Sequence, residues 1–409
     1  MHPGSVPVAD RDFYRKRSPM QIESIQIRNY RLFRLAEMTK LPRLAIILGA
    51  NGSGKSTLFD VFSFLKEALV GNAVAAVSRR GGFRELVSRG EDGPIGITIK
   101  FRESGGRLAT YQLDIGEAEG RPMVEREVLK FRRGRHGQPW HFLDFSRGKG
   151  SAITNEAAYG QEGIKAEREE YVLDDPSVLA IKALGQFKGF RVVSELRNLI
   201  ENWHISDFHI GDARPSSEAG YAEHLSTRGE NIAQVAQFLL EKHPDRFEKV
   251  IRAMQERVPG VTGVEAKTTE DGRLVLRFQD GSFKDPFIAR YVSDGTIKMF
   301  AYLVLLYDPK PHPLLAVEEP ENQLYPELLH ELIEEFRNYA LRGGQVFVST
   351  HSPDFLNGAQ LEEIYWLVKK DGFSEIRRVC ESELLQDLVA DGDLPGALWR
   401  QGLFEVGTE

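Results

Sequence analysis

Residues Gly49-Ala50-Asn51-Gly52-Ser53-Gly54-Lys55-Ser56-Thr57 constrain this chain more than any other segment. They fit G-x-x-x-x-G-K-[ST] without a mismatch, a loop whose glycines let successive N–H groups point inward as an anion nest. Lys55 is placed to reach the β- and γ-phosphates of a nucleoside triphosphate, and Ser56 to hold Mg²⁺. The flanks agree. Leu44–Leu48 is an apolar run that reads as a buried strand, and Thr57 to Leu69 reads as a helix whose N-terminus faces the phosphates. Gly49, Asn51, Gly52, Ser53, Gly54, Lys55, Ser56 and Thr57 are therefore the expected phosphate cradle.

Bulk properties narrow the setting. The 409 residues suffice for one large or two ordinary domains. The longest unbroken apolar stretch, Met299 to Tyr307, is too short to span a bilayer, so no membrane contact is expected. No hydrophobic signal segment opens the chain, and the single cysteine, Cys380, excludes an internal disulfide; both point to a reducing cytoplasm. The net charge of −7 confines any nucleic-acid contact to a local patch.

The pattern along the chain predicts a layout. Residues 1–19 are polar and without period, and read as a disordered arm. Ile22–Arg28 alternates like a strand. Ile95–Phe101, Leu108–Ile115 and Val124–Phe131 read as an antiparallel sheet, making residues 20–150 one lobe. Residues 151–262 carry helical spacing at Val178–Phe187, Val192–Trp203 and Ile232–Val258, and read as a helical insertion. From 263 to 409 strand and helix alternate, the mark of α/β architecture: a strand at Leu274–Phe278, a helix at 295–307, a strand at 314–318, a helix at 326–341 and a strand at 345–349.

This last third holds the other half of a nucleotide site. Leu314–Glu319 is a hydrophobic strand ending in two carboxylates, the Walker B pattern. Glu318 is expected to orient Mg²⁺, and Glu319 to act as general base on the attacking water. A strand capped by solvated acids has the same look. Gln345-Val346-Phe347-Val348-Ser349-Thr350-His351-Ser352-Pro353 is another buried strand run that ends in a histidine, His351, which can sense the γ-phosphate. Ser293-Asp294-Gly295-Thr296 opens an apolar helix, with N-cap residue types and a glycine that permits close approach of a ligand. That is a second anion site or an ordinary capped helix.

The order P-loop, S-D-G-T, E-E-P-E-N and T-H-S-P resembles the ABC-type ATPase heads of the RecF, SMC and OLD groups. It is most similar to stand-alone bacterial ATPases with an AAA-type core of that branch. Ile25–Phe33 matches their first strand. The resemblance implies an α/β P-loop NTPase fold, an ABC-type head with an antiparallel β subdomain and a helical insertion. It also implies ATP as the nucleotide. Ser293 and Gly295 take the ABC signature position, Pro320–Leu324 the D-loop, and His351 the switch histidine. Asp294 and Thr296 depart from the transporter pattern, and Glu318 replaces the usual Walker B aspartate. Gln112 and Gln186 are the candidates for a Q-loop glutamine. In such heads the signature helix acts on the P-loop of a second chain, so a head-to-tail homodimer is implied.

Three outputs are open at this stage. A DNA-associated ATPase of repair, recombination or phage defence draws on residues 128–150, which hold six Lys/Arg and one acid. There Lys130, Arg132, Arg133 and Arg135 sit near Phe131 and Trp140, to track phosphates and stack bases; a solvated hairpin tip fits the same residues. A nucleotide-gated switch controlling a separate effector protein, such as a Toprim nuclease, is implied by the family. A nuclease activity of the chain itself would use Asp391-Gly392-Asp393, which is also an ordinary turn. His204 and His209 read as structural histidines.

Overall fold

The computed structural model describes residues 20–131, 140–156, 167–213, 217–218 and 220–406. The expected arm at 1–19 lies outside them. In chain order the strands are β1 (Gln21–Tyr30), β2 (Phe33–Met38), β3 (Leu44–Leu48), β4 (Ile95–Arg102), β5 (Leu108–Ala118), β6 (Arg121–Phe131), β7 (Trp140–Ser146), β8 (Lys149–Ile153), β9 (Arg168–Val172), β10 (His204–Ser206), β11 (Ser217–Glu218), β12 (Val261–Thr268), β13 (Arg273–Asp280), β14 (Phe287–Ile288), β15 (Leu314–Glu318), β16 (Gln345–Thr350), β17 (Ile364–Lys370) and β18 (Phe373–Arg378). The chain forms two compact units. Among the described residues, one lies within 20–42, 52–203 and 367–376, the other within 43–51, 204–366 and 377–406.

The first unit is built on an eight-stranded sheet, β2-β1-β4-β5-β6-β7-β8-β9, antiparallel at every pairing. The three runs expected as strands are its β4, β5 and β6, each longer than its apolar core. β5 and β6 are joined by Glu119-Gly120, both at positive φ (52° and 75°), the two-residue turn whose twist matches the strands. The helix Lys55–Val70 belongs to this unit and is buried on most of its surface. Its Phe62 meets Trp203 edge-on at 5.5 Å, and Phe64 meets Tyr30 at 5.6 Å. Its polar side is tied down by Arg80, which reaches Asp60 at 2.7 Å and Glu67 at 2.9 Å.

The second unit holds neighbouring strands in the order β10-β15-β16-β3, followed by the start of β17 at Ile364–Trp366. From β10 to β17 every pairing is parallel. Leu44-Ala45-Ile46-Ile47-Leu48 is buried throughout, as are β16 and all of β15 but Glu318. Continuous apolar runs are what a parallel sheet covered on both faces requires. The helix Asp294–Leu306 is buried without a break from Ile297 to Leu306. Helix Pro326–Leu341 buries one stripe, with Phe336 edge-on to Tyr302 at 5.9 Å. A smaller antiparallel sheet, β11-β13-β12 with β14 on β13, completes the unit. Its Phe278 packs on Phe300 of helix Asp294–Leu306 at 5.6 Å.

Within 151–262 the described residues include helices Ala180–Leu184, Arg191–Glu201, Ile232–Lys242 and Pro244–Arg257. The stretch Ile232–Val258 is thus two helices, because Pro244 cannot continue the first and sits well at the start of the second. β10, three residues in the same stretch, is an edge strand of the parallel sheet.

Candidate nucleotide site

Parallel strands place their carboxyl ends on one edge of a sheet, where open α/β proteins bind ligands. In register, Thr350 of β16 stands beside Leu48 of β3, and Glu318 of β15 beside Ser349 of β16. The ends of three neighbouring strands therefore deliver Gly49–Asn51, Glu318-Glu319 and Thr350-His351 to the same edge. Each lies where the sequence order leads one to look.

The P-loop continues from Gly49–Asn51 into helix Lys55–Val70. Gly52 and Gly54 stand at φ 77° and 104°, and Gly54 is the N-cap of the helix. A Cβ on Gly54 would lie 2.6 Å from Ser374 Oγ, so only glycine fits. That Ser374 hydroxyl donates to the Ser53 carbonyl at 2.6 Å and holds the loop in its curl. The helix has no side-chain cap and no acidic residue in its first turn, leaving its N-terminal end suited to an anion. Ser53 Oγ is buried without a hydrogen-bond partner among the described residues, a second sign that the loop is shaped for a group with acceptor oxygens. Lys55 and Thr57 are buried; Ser56 and Asn51 are exposed.

The turn after β15 is built differently. Glu319 itself takes φ 40°, unusual for a residue with a Cβ. Its N–H donates to the Ser349 carbonyl at 3.1 Å. Its carboxylate accepts from Asn322 Nδ2 at 3.1 Å and faces His351 Nδ1 at 3.4 Å. Glu321 buttresses the histidine: its Oε1 accepts from the Thr350 hydroxyl at 2.7 Å and the His351 N–H at 2.9 Å. Oxygens of Ser56 and Glu318 are the donor type that Mg²⁺ takes.

Ser293 caps helix Asp294–Leu306, its Oγ accepting from the Thr296 N–H at 3.2 Å. A Cβ on Gly295 would lie 3.0 Å from the Gln323 carbonyl, so the D-loop segment passes close over this glycine. One turn on, the buried Lys298 Nζ donates to the Asn322 carbonyl at 2.7 Å. Burial pushes that ammonium down to about 8, against the pull of Glu321, Asp207 and Glu319. Ser293, Gly295, Gln323 and Tyr325 line one side of an open groove of about 710 Å³.

Lys298 was not singled out by sequence, though a lone cation inside an apolar helix was a usable signal; Glu321 and Asn322 were placed in the D-loop without their contacts to His351 and Glu319. One sequence expectation needs correction. Phe131 and Trp140 are buried against Phe142, at 4.7 and 6.3 Å, so neither can stack a nucleic-acid base. Arg132, Arg133 and Arg135 lie outside the described residues. Asp391-Gly392-Asp393 is the turn between helices Glu383–Ala390 and Pro395–Arg400. Gln112 bonds Asp114 at 2.8 Å from within β5, and Gln186 bonds the Lys182 carbonyl at 3.3 Å. Among the described residues no helix is long and apolar enough to cross a membrane.

The class follows from fold comparison. The chain is similar to the Smc head bound to the C-terminal winged-helix domain of ScpA, with 14% identity and a TM-score of 0.52, covering 87% of this chain and 96% of that one. It is also similar to an Smc head with an extended coiled coil bound to a ScpA domain, of Pyrococcus furiosus origin, with 14% identity and a TM-score of 0.50, covering 91% and 100%. The fold is that of an ABC-type ATPase head, mixed α/β with an antiparallel sheet. No curated protein matches the sequence. The family profile described as "AAA domain, putative AbiEii toxin, Type IV TA system" matches residues 44–159 and 129–357, together more than half of the chain, and the protein belongs to that AAA family.

Proposed function

We propose that the protein binds and hydrolyses ATP with Mg²⁺, as a head-to-tail homodimer that shares two nucleotides. The observation that carries the reading is the sheet edge where β3 runs into the P-loop beside the strand ends bearing Glu318-Glu319 and His351. In this reading Lys55 and the P-loop N–H groups bind the phosphates. Ser56 and Glu318 hold Mg²⁺, which neutralises charge on the β- and γ-oxygens when bound. Glu319, aimed by Asn322, takes the proton of the attacking water, and His351 donates toward the γ-phosphate. Ser293 and Gly295 complete the site of the second protomer, and their open groove leaves them free to do so.

The test is the solution mass of Glu319→Gln by light scattering. Mg-ATP should shift it from monomer to dimer while turnover falls by at least about 10²-fold. A mass unmoved by ATP removes the shared-site mechanism.

For the output, we favour an ATP-gated switch read by a partner protein over direct DNA contact, in a cytoplasmic defence or repair setting. Two observations support this. The aromatic side chains near the basic stretch are buried. Smc heads of the same fold have been solved with a bound ScpA domain. ATP-dependent co-purification of a second polypeptide with Glu319→Gln supports the switch; salt-sensitive DNA binding without one overturns it.

A further inference from the structure

The loop between helix Asp294–Leu306 and β15 gathers an unusual set of side chains. His224 Nδ1 lies 2.7 Å from Asp308 Oδ2. The Asp308 side chain is 4% exposed and that of His224 40%. One ligand atom from each of His224, Asp308 and His312 lies within 4.8 Å of the others. The His312 ring stands 5.1 Å from that of His224 and stacks on His204 at 4.9 Å.

We propose that His224, Asp308 and His312 form a binding site for a divalent transition metal of the zinc type. A buried carboxylate needs a positive partner. Imidazole nitrogens and a carboxylate oxygen are ligand types that zinc takes. Two nitrogens and one oxygen leave a fourth position open, and there is room for it. An open cavity of about 220 Å³, lined by Glu223, His224, His243 and Asp308, admits water as the remaining ligand. At zinc–ligand distances of about 2.0–2.2 Å tetrahedral donors stand about 3.4 Å apart, so the three ligand atoms, all within 4.8 Å of one another, rearrange on loading.

Hydrogen bonds hold the Asp308 carboxylate and the main chain that carries the two histidines. Asp308 Oδ1 accepts from the Lys310 N–H at 2.7 Å. Asn231 Nδ2 donates to the His224 carbonyl at 3.0 Å. The Tyr339 hydroxyl donates to the His312 carbonyl at 2.6 Å. The imidazole-rich donor set selects against Mg²⁺, so this site is chemically distinct from the one assigned to Ser56 and Glu318.

The full chain, stripped with a chelator and given Zn²⁺ without nucleotide, should retain one zinc per chain after desalting, and excess Mg²⁺ should not displace it. Asp308→Asn and His224→Gln should each weaken uptake by at least the ~10–100-fold that loss of an outer-shell partner costs. His224 is the more exposed ligand, so its variant decides the matter if Asp308→Asn fails to fold. Zinc should raise the Tm of the wild type and not that of His224→Gln. Wild type that retains no more zinc than His224→Gln overturns the proposal and leaves an ordinary His–Asp pair.

Discussion

Two strands of the same parallel sheet, β3 and β15, end in turns that do opposite things with their backbones. After β3 the left-handed positions are glycines, Gly52 and Gly54, and the main chain is the working surface. After β15 the left-handed positions are Glu319 and Gln323, at φ 40° and 67°. There the backbone accepts strain and the side chain is the working surface. A phosphate is bound by N–H groups, which any residue carries, so sequence selects for the absence of a Cβ. A water is activated by a carboxylate, so sequence must keep the Cβ and absorb its cost, typically about 1–3 kcal/mol.

The contrast can be broken by exchanging the two solutions. Glu319→Gly should lower ATP turnover by about 10²–10⁴-fold. It should leave Tm no lower than wild type, since the strain it relieves offsets the roughly 0.5–1 kcal/mol of glycine chain entropy. A clear loss of thermal stability would show that Glu319 is not strained.

Gly54→Ala should do the reverse. Its Cβ adds left-handed strain and meets Ser374 Oγ at 2.6 Å, so we expect about 2–4 kcal/mol lost in denaturant titration, and weaker ATP binding. Full stability in that variant would mean that the Ser374 clasp on the P-loop is loose.

The smallest effect sharpens the comparison at the Glu319 turn, whose Asn322 carbonyl is held by Lys298. Burial holds Lys298 near 8, below lysine's ordinary 10.5. Between those values the unfolded chain binds a proton that the native one does not, so stability rises with pH, by about 1 kcal/mol per pH unit. Lys298→Met should flatten that rise. Parallel pH profiles of the two proteins would show that Lys298 keeps its proton.

Sequence carried the P-loop and its flanks, because an apolar run, a glycine pattern and a helix follow each other without a gap. It also carried β15, β16 and the helix Pro326–Leu341, whose bounds match those read from periodicity to within one residue. β10 was not legible: three residues, buried at His204 and Ser206, are too few to show a period, and only β15 makes them a strand. The buttress of Glu321 under His351 was not legible either. It joins residues 30 positions apart through a parallel register that sequence does not print. Phe131 and Trp140 failed in the other direction. Aromatic residues beside basic ones look like a nucleic-acid surface until the strands β6 and β7 turn both inward.

The division of each unit into three separate chain segments bears on synthesis. β3 is made early, yet its partner β16 begins at residue 345, almost 300 residues later. At typical rates of about 5–20 residues per second, Leu44–Leu48 waits roughly 15–60 s on the ribosome before a neighbouring strand exists. Until then an apolar strand with unpaired edges precedes a loop that cannot yet take its curl. The parallel sheet is thus completed only once β16 and β17 have been made, and a chain truncated before Gln345 cannot pair β3 with β16. Nascent-chain crowding and chaperone supply should govern the yield of this protein more than the stability of its finished fold.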